Sequence, residues 1–356
     1  MSDTENLEPL PPSKEYLKAV RPLWGKVAIK KESDFLSWID LVTKMGCGTE
    51  SNGELGWVYR GQRDAGWDIK TSFERIYGHE GTEIDLRTIE RKRLRDFQYA
   101  HGLGQNEKLK LDQLGWTALM QHYGVATRLV DFTESPLVAL FMATQELLSK
   151  GYALKDQEDC FSVWAFYRGV YANVYNSRSP GFWDFKHCGR PLCRCDDLEQ
   201  YQKRQEHTLE NVLNGVASNV ICANCILSGQ DAGCSERNIN YPKVLWIRPG
   251  IGNDRLWAQA GLFLMPLSLR KTTMQQLFWH PYTRTDGEDE AKRFMDAECV
   301  DIENPNFKIE YSRAIEFKFE VELLPYVKKF LKIANVRASL LFPDFEGVAQ
   351  EFRTEI

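Results

Sequence analysis

Phe35, Trp38, Ile39 and Val42 fall at helical spacing behind Ser33, a residue suited to cap a helix, so the pattern predicts a helix over Ser33–Met45. Gly46, Gly48 and Gly53 break the chain after it. Leu55–Arg60 (LGWVYR) then reads as a short strand ending at Gly61-Gln62, and Trp67–Thr71 as a second extended candidate. Thr82–Leu103 carries alternating charges on a helical period, the pattern of a solvated helix. Leu111–Tyr123 (LDQLGWTALMQHY) predicts a helix with Asp112 as its cap and Gly124 as its stop. Ser135–Leu148 (SPLVALFMATQELL) predicts another, opened by a capping Ser and a Pro at the first helical position, and apolar nearly all round, hence buried.

Cys160–Tyr167 (CFSVWAFY) is a strand of β-branched and aromatic residues, and strands resume at Lys243–Arg248 (KVLWIR) and Gly261–Pro266 (GLFLMP). Ala314–Leu323 alternates Ile315, Phe317, Phe319 and Val321 with Glu316, Lys318, Glu320 and Glu322, which predicts a strand with one wet face. An amphipathic helix is expected over Leu324–Ile333, and another over Ala338–Phe352, interrupted at Phe342-Pro343. Helices interleaved with isolated strands predict an α+β fold: a mixed, mostly antiparallel sheet flanked by helices, with a cysteine-rich insertion. The expected organisation is an N-terminal arm over 1–32, a main domain in two parts over 33–175 and 243–356, and the insertion over 176–242, where apolar periodicity fades.

Length and charge narrow the function. A chain of 356 residues with 43% hydrophobic and 27% charged positions can bury a large core. No stretch approaches the roughly 18 uninterrupted apolar residues of a membrane helix. The acidic start, MSDTENLEPLPPSKEY, lacks the basic and apolar regions of an export signal, so no membrane association and a cytoplasmic location are expected. A net charge of −5 disfavours a partner bound chiefly by phosphate neutralisation.

Three polar segments carry candidate chemistry. In Tyr59-Arg60-Gly61-Gln62 an arginine sits where an apolar strand meets glycine, offering a rigid fork of donors for phosphate or carboxylate; the plain alternative is a strand-end arginine paired with a surface acid. His122-Tyr123-Gly124-Val125-Ala126-Thr127-Arg128-Leu129-Val130-Asp131 packs polar groups into the connection between two apolar helices, where burial requires pairing. Either these groups form a site, or Arg128 and Asp131 form a structural ion pair with His122 at a helix end. Arg255 and Gln259, four apart before Gly261, would otherwise read as a turn with an exposed arginine.

Together the three segments resemble FRG-domain proteins, named for a strand ending Phe-Arg-Gly. Tyr59-Arg60-Gly61-Gln62 stands at that motif with Tyr for Phe. TALMQHYGVATRLVDFTESPLVALFMAT is similar to the family's longest motif, with Val130 for the usual second Leu. RLWAQAGLF resembles its Arg-x-x-x-Gln-x-Gly-x-Phe element, and Leu341–Gly347 its Leu-Phe-Pro-Asp-x-x-Gly ending. The resemblance spans about residues 35–350, outside the cysteine-rich insertion. It implies an effector of bacterial and phage conflict, a toxin or anti-phage defence component, with a motif layout similar to ADP-ribosyltransferases. On that layout NAD is the cofactor, or a related nucleotide the ligand, and any acceptor would be protein or nucleic acid. Arg60, His122, Arg128, Asp131 and Gln259 are then the catalytic candidates, with Tyr59, Gly61, Gln62, Tyr123, Thr127 and Arg255 binding ligand. Gly261 stands where such an enzyme would carry its glutamate, and Asp131 is the substitute if the fold brings it close. Two other readings stay open: a non-catalytic module sensing a nucleotide or protein, and a metal-independent nuclease with His122 as acid or base and Arg60 and Arg128 at the phosphorane.

Six of the nine cysteines fall between Cys188 and Cys234. Cys188, Cys193, Cys195, Cys222 and Cys225 are the metal candidates, the second group a CxxC pair, as in a structural zinc knuckle. Free thiols are the alternative. The polar insertion has little core of its own, so metal would supply its stability. Purified protein is therefore expected to carry about one zinc, with less metal in a Cys222→Ser/Cys225→Ser variant; metal analysis showing no zinc in the parent chain refutes the knuckle.

Overall fold

The computed structural model describes residues 24–45, 56–100, 111–150, 160–168, 227, 244–248, 254–278, 287–304 and 314–354. Its eight strands form one mixed sheet in the order β5-β6-β3-β2-β4-β8-β1-β7, where β1 is Trp24–Ile29, β2 Trp57–Gln62, β3 Val130–Thr133, β4 Cys160–Tyr167, β5 Val244–Ile247, β6 Gly261–Pro266, β7 Val300–Asp301 and β8 Ala314–Glu320. Neighbours from β5 through β8 pair antiparallel, and β1 pairs parallel with both β8 and β7. The expected α+β class, with a mostly antiparallel mixed sheet, is what the chain adopts.

Strand alternation sends side chains to two separate cores. Trp57, Tyr59, Val163, Ala165, Phe317 and Phe319 point to one face, which is covered by α1 (Glu32–Met45), α5 (Pro136–Lys150) and α9 (Leu324–Ile333). Phe319 stacks on Phe161 with centroids 5.1 Å apart and meets the edge of Trp38. The interleaved Val58, Val130, Phe132, Trp164, Phe166 and Leu264 point to the other face, under α7 (Thr273–Phe278) and α8 (Gly287–Met295). Further helices among the described residues are α2 (Ser72–Tyr77), α3 (Glu83–Ala100), α4 (Gln113–His122), α6 (Asp254–Ala258), α10 (Ala338–Leu341) and α11 (Phe345–Thr354). Among the described residues no helix is long and apolar enough to cross a membrane.

Several expectations need correction. Residues 1–32, read as an arm, contain β1, which lies inside the sheet between β8 and β7. Its strand pattern is disguised by Lys26, whose stem is buried while Nζ donates to the Met295 carbonyl at 2.6 Å and lies over the Phe294 ring. β8 has no wet face at Glu316, which is only 2% exposed because the strand is flanked by β4 and β1 and covered on both faces. Trp67–Thr71 is not a strand; the Gln62 side-chain amide donates to the Trp67 and Asp68 carbonyls and holds this segment as a loop. Finally, Val130–Thr133, read within a connection, is β3, and it pairs across its whole length with β6.

α3 is anchored at its start by Glu83. Its carboxylate accepts from Ser268 Oγ at 2.9 Å, the Leu269 amide at 3.0 Å, the Arg270 amide at 3.2 Å and Arg87 Nε at 2.9 Å. Burial alone would push this carboxyl up, but the hydrogen bonds from Arg87, Leu269 and Ser268 outweigh it, and its pKa lies below the ordinary glutamate value. A carboxyl lowered by folding contributes stability above its unfolded pKa of about 4.3, and that contribution is lost as pH falls through the folded value. Glu83→Gln is thus expected to lower Tm at pH 7, by a stability loss of about 1–3 kcal/mol, with the gap to the parent closing under acid. A pH-independent difference in thermal melts would refute this.

Candidate functional site

The site lies over a weak seam in the sheet. β3 and β2 share a single ladder pair, Tyr59 opposite Thr133, whereas β2 and β4 pair at six positions. Arg60 leaves β2 on the face of Val58 and Trp164, and its Nη1 donates to the Asp131 carbonyl at 2.7 Å, so the guanidinium ties β2 to β3 beyond their one rung. On the other face α5 comes so close to β2 that a Cβ on Gly61 would stand 1.9 Å from the Ala139 carbonyl oxygen. Only glycine fits there. Just past β3, Glu134 accepts from Arg168, which follows β4, at 3.1 Å, and pairs with Arg248, which follows β5, at 2.5 Å. Burial lowers the Arg168 pKa, against the pull of Glu134.

α4 delivers the next groups. Asp112 caps it by accepting from the Gly115 amide at 2.7 Å, and Gly124, at φ +71°, turns the chain away after His122. In the last turn Gln121 Nε2 donates to Asp131 Oδ2 at 2.8 Å, while Gln121 Oε1 accepts from the Thr127 hydroxyl at 2.5 Å. The third wall is α6 and the turn into β6. The Gln259 side-chain amide donates through Nε2 to the Leu341 carbonyl at 3.0 Å, and the Gln259 backbone carbonyl accepts from Thr133 Oγ1 at 2.6 Å. The Arg255 guanidinium lies 4.1 Å over the Phe342 ring.

These walls enclose a cleft of about 540 Å³, within the usual range for small-molecule sites. Arg60, Gly61, His122, Asp131, Gln259, Arg255 and Tyr59, drawn from all three polar segments, line it together. Leu119, Met142, Leu256 and Phe263 give it apolar walls. Asp131 is exposed to the cleft and is the carboxylate among the described lining residues. Burial pushes the Arg60 pKa down, the Asp131 charge opposes this, and the Arg75 charge adds to it; a guanidinium nevertheless stays charged.

Four candidates lie elsewhere. Arg128 is fully buried and pairs with Glu90 of α3, Nε to Oε1 at 2.5 Å, rather than with Asp131, and it also donates to the Leu267 carbonyl at 3.2 Å. Its partner lies 38 positions earlier on a helix that reads as solvated, which is why the sequence pointed to Asp131 instead. Gln62 faces away from the cleft into the 63–68 loop. Tyr123 is 63% exposed beside His122 but does not line the cleft. Thr127 is buried and reaches the site only through Gln121. Conversely, Gln121 and Gln145 line the cleft without having been singled out. Gln121 opens the Gln121-His122-Tyr123-Gly124 motif, but only the strand position of Asp131 reveals their contact.

The metal candidates Cys188, Cys193, Cys195, Cys222 and Cys225 lie outside the described residues. Among the described residues no group of three or more His, Cys, Asp or Glu is placed to hold a metal ion.

Residues 56–151 match the family model described as the FRG domain. That stretch runs from β2 through α5 and contains Arg60, Gln121, His122 and Asp131. Comparison with curated proteins and with solved structures gives no match.

The placement of Arg128 assigns it to the core rather than to the ligand. Glu90→Gln leaves a buried guanidinium without its counter-charge and is expected to cost about 3–5 kcal/mol. Chemical denaturation checks this; a loss below about 1 kcal/mol would mean that the pair is solvated.

Proposed function

We propose, from the match of residues 56–151 to the FRG domain model, that the cleft takes an NAD-type nucleotide and breaks the N-glycosidic bond, as an effector of the ADP-ribosyltransferase kind. One observation carries the reading: Asp131, Arg60, His122 and Gln259, from separate elements, line the same cleft. The volume suits a nucleotide held partly extended, with apolar walls for a base and the arginines for phosphate.

The Gly261 position supports Asp131 in the role of the expected glutamate. Gly261 offers no carboxylate, and a Cβ there would meet the movable Leu256 Cδ1 at 2.5 Å and the Leu256 carbonyl at 3.2 Å, so β6 enters tightly against α6. In the proposed step the C1′–N bond breaks and its electron pair leaves with nicotinamide. Positive charge then spreads over C1′ and the ring oxygen, where the Asp131 carboxylate stabilises it. Water or an acceptor hydroxyl adds to C1′ and gives up its proton to His122. The nuclease reading is weakened because Arg128, one of its two phosphorane-binding arginines, is in the core.

A sensing role remains the second reading. It is favoured by Gln259, whose amide is already engaged by the Leu341 carbonyl. Incubation with NAD decides between the two. The expected result is nicotinamide release, with kcat reduced about 10²–10³-fold in Asp131→Asn and KM little changed. NAD binding by calorimetry without nicotinamide release would overturn the catalytic reading in favour of sensing, and no binding would overturn both.

A further inference from the structure

Among the described residues no cation is paired directly with the Asp131 carboxylate, although the Arg60 guanidinium is near enough to feel its charge. Arg60 donates to its backbone carbonyl, not to its side chain. Among the described residues the hydrogen bond to its carboxylate comes from Gln121, a neutral amide donating to Oδ2 at 2.8 Å. That amide is itself held. The Leu129 backbone N–H donates to Thr127 Oγ1 at 3.1 Å, and the Thr127 hydroxyl donates to Gln121 Oε1 at 2.5 Å. The reverse amide orientation would set Oε1 against the carboxylate, so the chain of donors runs one way, from Leu129 through Thr127 and Gln121 to Asp131.

Thr127 is in turn fixed outside the cleft. Its backbone amide donates to Ser72 Oγ at 3.0 Å, and its carbonyl accepts from the Phe73 amide at 2.9 Å and from Ser72 Oγ at 3.2 Å. The start of α2 thereby clamps the backbone that carries the relay. One end of the relay is buried and the other opens on the cleft.

We propose that Gln121 is a positioning residue, oriented by Thr127, which fixes the rotamer of the Asp131 carboxylate and leaves Oδ1 to meet the reacting centre. The proposal rests on the NAD reading for what Asp131 does, and on the relay alone for how it is held. A neutral donor suits this task. It orients the carboxylate without cancelling the negative charge that an oxocarbenium-like centre needs, whereas a lysine or arginine at the same place would neutralise it.

The test uses the full chain with Thr127→Val, Thr127→Ser and Gln121→Leu. With NAD, Thr127→Val and Gln121→Leu are expected to lose about 10–100-fold in kcat while KM stays within about twofold, and Thr127→Ser is expected to restore the rate. The side-chain amide resonance of Gln121, read by NMR without ligand, is expected to move in Thr127→Val and Asp131→Ala and to hold in Thr127→Ser. Unchanged kcat in Thr127→Val, or a rate that serine fails to restore at equal Tm, overturns the positioning role. An inactive parent chain overturns the NAD reading instead, and the amide resonance then decides the relay: a signal that ignores Thr127→Val sinks it.

Discussion

Two portions of one sheet, β5-β6-β3 and β2-β4-β8-β1-β7, meet at the single rung between Tyr59 and Thr133. A ladder that thin leaves backbone groups to be satisfied by other means. The chain answers with side chains: Arg60 reaches the Asp131 carbonyl, and Glu134 gathers arginines that follow β4 and β5. α5 lies across the junction, pressed onto β2 at Gly61. The cleft exists because the strands part there. Its floor is the junction, and Arg60 both lines it and ties the two strands.

The elements with a clean period are legible in the sequence. Cys160–Tyr167, Gly261–Pro266 and Leu324–Ile333 occur as the pattern predicts, as do the Asp112 cap and the break between Leu341 and Phe345. The misses share a physical cause. β3 is four residues long and β1 carries a lysine, so neither gives alternation long enough to register. Glu316 reads as a wet-face residue because alternation reports polarity, not which strands lie alongside.

The same holds for the site. Residue types were enough to nominate Arg60, His122, Asp131 and Gln259, and the fold places them on one cleft. Types could not tell Arg128 from Arg60, since both are arginines in polar company. What separates them is Glu90, a residue on α3 that only tertiary packing brings near. Nor could they separate contact with the cleft from support behind it, which is the difference between Asp131 and Thr127. Charged groups buried in a core and charged groups lining a cavity look alike in one dimension; burial distinguishes them.

The order in which the chain visits the sheet carries a further consequence. It lays β2 on one side of the junction, β3 on the other, returns for β4, then crosses again for β5 and β6 before closing with β7 and β8. The stretch that matches the FRG family holds β2 and β3 but neither β4 nor β6, the strands that give each of them its long ladder. Expressed by itself, that fragment would present two strands sharing one rung and most of their edges bare, an invitation to aggregate. The segment that matches the family model and the unit that must be synthesised to obtain a folded protein are therefore different lengths of chain.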